Sequence, residues 1–246
     1  MAQRLWIAFW LGLPIAIVVV QVVAKAISPD FFAQRLHGEA GLVENATVIF
    51  LLVGVFTAVR LFLKRDRVTS ALFGPFTACM ALGCFFFAGE EASWGQHWFG
   101  FEAPSEIAER NEQGEFNLHN DPLLETVLDQ LPRNLLTLAA LIAIFTGLGR
   151  RGRIREFKRN SIHGWIWPTL VCVPSAFIAV FVTIPKKVFD EDLPDALVIG
   201  PGETKEFGIA LFLLLYLVDL FRDLRSRDRD PLPKDASLPS VSSPQS

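Results

Sequence analysis

Hydrophobic positions along this chain fall into six long runs, near residues 5–23, 46–63, 71–88, 133–149, 162–184 and 207–221, and charge is bunched between them. Each run is too long for a strand and too rich in Leu, Ile, Val, Phe and Ala for a helix with one wet face, so the pattern predicts buried or lipid-facing helices. A helix crossing a bilayer needs ~20 mostly apolar residues. The fourth run is short at its core and reaches that length if residues 122–131 lead into it with a kink at Pro132. The expected fold class is therefore all-α, a polytopic transmembrane helix bundle of about six spans. Residues 1–230 would form that domain, and the Pro- and Ser-rich stretch 231–246 is a tail too poor in large apolar residues to fold.

Composition agrees with a membrane class. Apolar types make up 51% of the 246 residues, and Phe (22) far outnumbers Tyr (1). A net charge of −3 argues against nucleic-acid partners. Residues 24–26 (Ala-Lys-Ala) resemble a signal-peptide cleavage site, but the preceding apolar run exceeds the ~7–15 residues of a signal h-region, which favours an uncleaved helix. The thiols of Cys79, Cys84 and Cys172 lie inside apolar runs and read as small core side chains.

Charge sets the expected orientation. The segments at Arg4, Arg60–Arg67, Arg150–Arg159 and Arg222–Lys234 hold most of the 23 Lys and Arg residues, whereas residues 24–45, 89–134 and 185–206 hold most of the 26 Asp and Glu residues. Positive segments stay in the cytoplasm. The expectation is a multipass protein of a bacterial inner (cytoplasmic) membrane with both termini cytoplasmic, Trp165 and Trp167 at the inner interface, and Trp94 and Trp98 at the outer one. Within the external segment 90–132, two short interfacial helices are expected, one begun by Ser105 and one capped by Asn120 or Asp121 ahead of Pro122. The second carries an apolar stripe at Leu123, Leu124, Val127, Leu128 and Leu131.

Candidate chemistry lies where helices meet the outer boundary. Glu39 and Glu44 precede and open the second run, Glu90 and Glu91 close the third, and Glu203 and Glu206 open the sixth. Between them runs Glu112-x-x-Glu115-x-Asn117-x-His119-Asn120. Carboxylates brought close together share protons or bind a cation. Oxygen ligands with one imidazole suit a divalent metal ion, with Glu44, Glu90, Glu91, His119 and Glu206 as the expected ligands. Glu44 and Glu206 have a simpler role as acids in a first helical turn, but Glu90 and Glu91 oppose the dipole at a helix C-terminus and need a partner. Glu115 and His119 are the expected catalytic residues. His97 shares a face with Glu90, Ser93 and Trp94 only if Gly95 does not end that helix first. His37 and His163 suggest no role, and Asp219 is most simply a partner of Arg222 or of another cytoplasmic basic residue. Small residues at Gly74, Ala78, Ala81, Gly83, Ala88 and Gly89 suggest that the third helix packs closely in the centre of the bundle.

The stretches GEEASWGQ (Gly89–Gln96) and NEQGEFNLHN (Asn111–Asn120) resemble motifs of a family of uncharacterised bacterial multipass inner-membrane proteins, GEExSWGQ and NEQxExNLHN. The resemblance implies a membrane location. A likeness to the seven-span membrane hydrolases that include alkaline ceramidases reduces to acids and a His at one membrane face, because the last span here lacks their His-x-x-x-His pair.

Three functions fit these residues. One is a metal-dependent hydrolase or transferase acting on a lipid or lipid-linked substrate at the outer face, with Glu115 as base to a metal-bound water. The others are a non-catalytic assembly or scaffold subunit, and a cation- or proton-coupled transporter. Transport is disfavoured because the only long polar residue noted within a run is Gln21, near the end of its run.

Overall fold

A computed structural model describes residues 2–38, 40–68, 70–111, 114–118, 121–124, 126–149, 162–189, 193–199 and 201–227. The tail at 231–246, Glu39, Glu112, His119 and Asn120 lie outside these described residues. Among the described residues all regular structure is helical, and six long helices dominate: α1 (Gln3–Ile27), α2 (Leu42–Leu63), α3 (Phe73–Glu91), α4 (Thr126–Gly149), α5 (Leu170–Phe189) and α6 (Pro201–Arg227). The first five are long and apolar enough to cross a membrane. The sixth is the longest, but Lys205, Glu206, Asp219 and Arg222 interrupt its apolar stretch.

Two prolines inside the apolar runs are absorbed in the same way. Proline lacks an N–H and its ring crowds the carbonyl one turn back, which a locally widened turn relieves. A π-helical turn at Ala8–Gly12 precedes Pro14 in α1, and another at Thr126–Gln130 precedes Pro132 in α4. The second gives the short fourth run its spanning length. In the fifth run Pro168 disfavours helix at the residue before it, and the long helix starts only at Leu170.

The centre of the bundle is α6, not α3. Ile209, Leu211, Leu215, Leu217 and Leu220 are fully buried there, whereas Leu82 and Phe85 of α3 point outward. α3 packs on α2, α2 on α6, α6 on α5 and α5 on α4. Among the described residues no extended contact closes the ring between α4 and α3. The close approaches fall at other glycines. A Cβ on Gly208 of α6 would stand 2.7 Å from the Ala179 backbone nitrogen of α5, and one on Gly147 of α4 would stand 2.8 Å from the Thr169 carbonyl oxygen. A Cβ on Gly83 of α3 would meet nothing within 4 Å. α1 lies against the outer side of α6, with Trp6, Trp10, Ile17 and Val22 packed around Phe207, Leu211 and Leu215.

The two ends of the bundle differ in charge. At one end the Arg222 guanidinium lies over the Trp6 ring at 4.4 Å and the Lys64 ammonium over the Phe221 ring at 5.9 Å. The start of α1 and the end of α6 thus stand together at a basic end. At the other end, the end of α1 meets the start of α6 through Gln21 and Thr204. The acids Glu44, Glu90, Glu91, Glu203 and Glu206 gather toward this acidic end. Trp94 and Trp98 are partly exposed there, but Trp165 is fully buried against Phe73 and Phe76, with ring centroids at 5.0 and 5.2 Å. The Trp165 ring thus packs inside the bundle rather than on its outer surface. Asp219 accepts a 2.6 Å hydrogen bond from the Thr169 hydroxyl.

Candidate functional site

The acidic end is organised by a sharp reversal after α3. Ser93, Trp94 and Gly95 all have positive φ (43°, 51° and 92°), and a short helix Gln96–Phe99 follows. Only Gly adopts this region freely. Each of the other two residues costs ~1–2 kcal/mol, so the surroundings must hold them there. The indole N–H of Trp94 donates to Glu90 Oε1 at 2.7 Å, and the Ser93 hydroxyl donates to Glu115 Oε2 at 2.6 Å. Gly89 is needed because a Cβ there would sit 2.8 Å from the Trp94 ring. The predicted face shared by Glu90, Ser93, Trp94 and His97 is lost at this reversal, although Trp94 still reaches Glu90.

Glu90 is 3% exposed, and its other oxygen accepts from the Leu118 backbone N–H at 2.7 Å. Its charge at a helix C-terminus thus finds partners in the turn and in the loop that folds back over it. That loop is internally fixed. Asn111 Nδ2 donates to the carbonyl and side-chain oxygens of Asn117, Asn111 Oδ1 accepts from the Glu115 N–H, and Gln96 Oε1 accepts from the Phe116 N–H at 2.6 Å.

Glu115 is engaged on both oxygens. One oxygen accepts from Ser93 and from Asn117 Nδ2 at 2.7 Å, and the other lies 3.1 Å from His97 Nε2. Both side chains are largely buried. A carboxylate so placed orients the imidazole. Nδ1 of His97 has no hydrogen-bond partner among the described residues. Glu44, in the first turn of α2, accepts from the Ala40 N–H at 3.0 Å and lies within electrostatic reach of His97, Glu115 and Glu203. The Trp98 indole donates to Asn45 Oδ1 at 3.0 Å, tying the 96–99 turn to the same helix start.

A second imidazole stands on the far side of Glu44. His37 Nδ1 pairs with Glu203, and its Nε2 lies 2.6 Å from Gln21 Oε1, which also accepts from the Thr204 hydroxyl at 2.8 Å. His37, given no role by sequence, is therefore a junction of α1, the turn before α2, and α6. The signal for it was the lone Gln21 in an apolar run.

Glu91 and Glu206 border a different feature, a cavity of about 400 Å³ between α3, α4 and α6 that Glu90 also borders. Arg133 pairs with Glu206 at 2.9 Å on its rim. The expected metal ligands are thus divided. Glu90, Glu91 and Glu206 lie on the cavity, Glu44 lies with His97 and Glu115, and His119 lies outside the described residues. Among the described residues no three His, Cys, Asp or Glu side chains converge to hold a metal ion.

No protein-family profile, curated protein or solved structure matches this chain.

Proposed function

We propose that this chain is a membrane-embedded hydrolase or transferase that works at the outer boundary of a bacterial inner membrane on a lipid or lipid-linked substrate, with Glu115 and His97 as its acid–base pair. The observation that carries this reading is the imidazole of His97, held on one nitrogen by a carboxylate with three donors and bare on the other. It is supported by the left-handed backbone at Ser93 and Trp94, since such strain concentrates where function requires it. In hydrolysis of an ester, His97 Nδ1 takes a proton from the attacking water as its oxygen bonds to the acyl or phosphoryl centre. His97 then returns that proton to the departing alcohol oxygen, while Glu115 holds the ring in place through Nε2. Glu44 places a second carboxyl group within electrostatic reach. In this reading α6 is a sixth crossing. The pairing of Trp6 with Arg222 at the basic end supports termini on one side, and the positive-inside rule makes that side cytoplasmic.

The test is turnover. Purified protein in nanodiscs of bacterial polar lipid is followed by mass spectrometry for head-group, acyl or transferred products, beside Glu115→Gln. Product formation that falls by ~10²-fold or more in the variant, with its unfolding temperature kept within a few degrees, supports the reading. Product formed equally by both proteins, or by neither, overturns it and leaves a binding or scaffold role.

A further inference from the structure

We propose that the cavity between α3, α4 and α6 holds one acyl chain of an amine-bearing, zwitterionic phospholipid drawn in sideways from the bilayer. The proposal deepens the lipid-enzyme reading by naming its substrate class, but it is read from binding and does not require turnover.

Shape comes first. The helices form an open ring, α3–α2–α6–α5–α4, whose two free ends face each other across the cavity with α6 as its floor. Because no extended contact joins α3 to α4 among the described residues, the opening between them faces where lipid chains would lie. The outward residues flanking it are apolar, Leu82 and Phe85 on α3 and Leu135 and Leu138 on α4. A volume of about 400 Å³ lies within the ~300–1,000 Å³ of ligand sites. At the ~30 Å³ of a water-sized group it has room for about a dozen methylenes, which means one chain with the second left in the bilayer. Met80, Phe87, Leu136 and Leu213 make its walls apolar. Leu128 and Pro132 line it at the π-turn of α4, so the widened helix is part of the cavity wall.

Charge then selects the head group. The rim carries three carboxylates, Glu90, Glu91 and Glu206, against one guanidinium, Arg133, which pairs with Glu206 at 2.9 Å, while Glu90 is held by Trp94 and Leu118. Acids thus outnumber bases on the rim, and such a field attracts an ammonium. A zwitterionic amine lipid brings that ammonium, whereas an anionic lipid without an amine meets the carboxylates with like charge.

Gly83 supplies a blocking variant. It lines the cavity, and a Cβ there meets nothing within 4 Å, so the side chain of Gly83→Phe starts in open space and takes up cavity volume. The experiment uses full-length protein in nanodiscs with trace phosphatidylethanolamine carrying a diazirine at one chain end, and phosphatidylglycerol with the same chain as its pair. The expected result is labelling concentrated on Met80, Leu136 and Leu213. It should fall about tenfold with the phosphatidylglycerol probe and about tenfold in Gly83→Phe. Labelling spread over Leu82, Phe85 and Leu138, labelling indifferent to head group, or labelling unchanged in Gly83→Phe overturns the proposal. An occupied cavity in a protein with no turnover sinks the enzyme reading alone, and turnover that survives Gly83→Phe with an unlabelled cavity sinks this one alone.

Discussion

Two imidazoles flank Glu44 at the acidic end of the bundle, and their hydrogen bonds give them opposite characters. His37 spends both nitrogens, one on Glu203 and one on Gln21, and so ties three chain segments together. His97 spends one nitrogen on Glu115 and keeps the other clear of the described residues. An imidazole saturated on both sides has no lone pair for a substrate and acts as a clamp. One held on a single side is oriented yet able to accept a proton. Sequence position alone ranks both below His119; only the partners distinguish them.

The largest expected effect separates the two by activity. His97→Gln should lower turnover by ~10²–10⁴-fold, the usual contribution of a positioned proton acceptor, while His37→Gln should leave it within a few-fold. Steady-state product formation in nanodiscs checks both, and equal losses would erase the distinction.

Stability should separate them in the other direction. His37→Ala removes the contacts to Glu203 and Gln21 that make the junction and leaves Gln21 Oε1 with the Thr204 hydroxyl, costing ~1–3 kcal/mol. Reversible unfolding in mixed micelles with added denaturing detergent should show this loss and a much smaller one for His97→Gln.

Glu90 should behave like His37 rather than His97. Its two oxygens hold Trp94 and Leu118, so Glu90→Gln weakens two charge-assisted bonds, each worth ~1.5–3 kcal/mol, and loosens the reversal that presents His97. Faster proteolysis within residues 93–118 is the expected readout. A variant as resistant as the parent would show that the carboxylate does not hold the loop.

The smallest effects contrast two glycines. Gly208→Ala forces a methyl against the α5 backbone and should destabilise by ~1–3 kcal/mol, whereas Gly83→Ala faces open space and should be neutral or stabilising by up to ~1 kcal/mol. The same detergent titration compares them.

Much of this architecture was legible in sequence because apolar runs are a one-dimensional signal. Six runs became six long helices within a few residues at most ends, and Pro132 marked the distortion in α4. Pro168 was the overlooked stop that delayed α5 to Leu170. Which helix stands in the centre was not legible. Small residues in α3 suggested close packing, but Gly83 faces the cavity, and the burial belongs to α6. The site was half legible. Acids at helix ends pointed to the acidic end, yet their sorting among Trp94, Arg133, Ala40 and the cavity rim depends on long-range contacts that spacing does not encode. Glu115 was marked as a base, but its contact with His97 at 3.1 Å was not legible from spacing.

Nitrogen-15 NMR of histidine-labelled protein in mildly alkaline buffer, assigned with His97→Gln and His37→Gln, tests the poised imidazole most directly. The account predicts that His97 is a single neutral tautomer, protonated at Nε2 toward Glu115 with a bare Nδ1 whose signal shifts when solvent conditions change, while both nitrogens of His37 report hydrogen bonds. A His97 ring protonated at Nδ1, or averaged between tautomers, would contradict it.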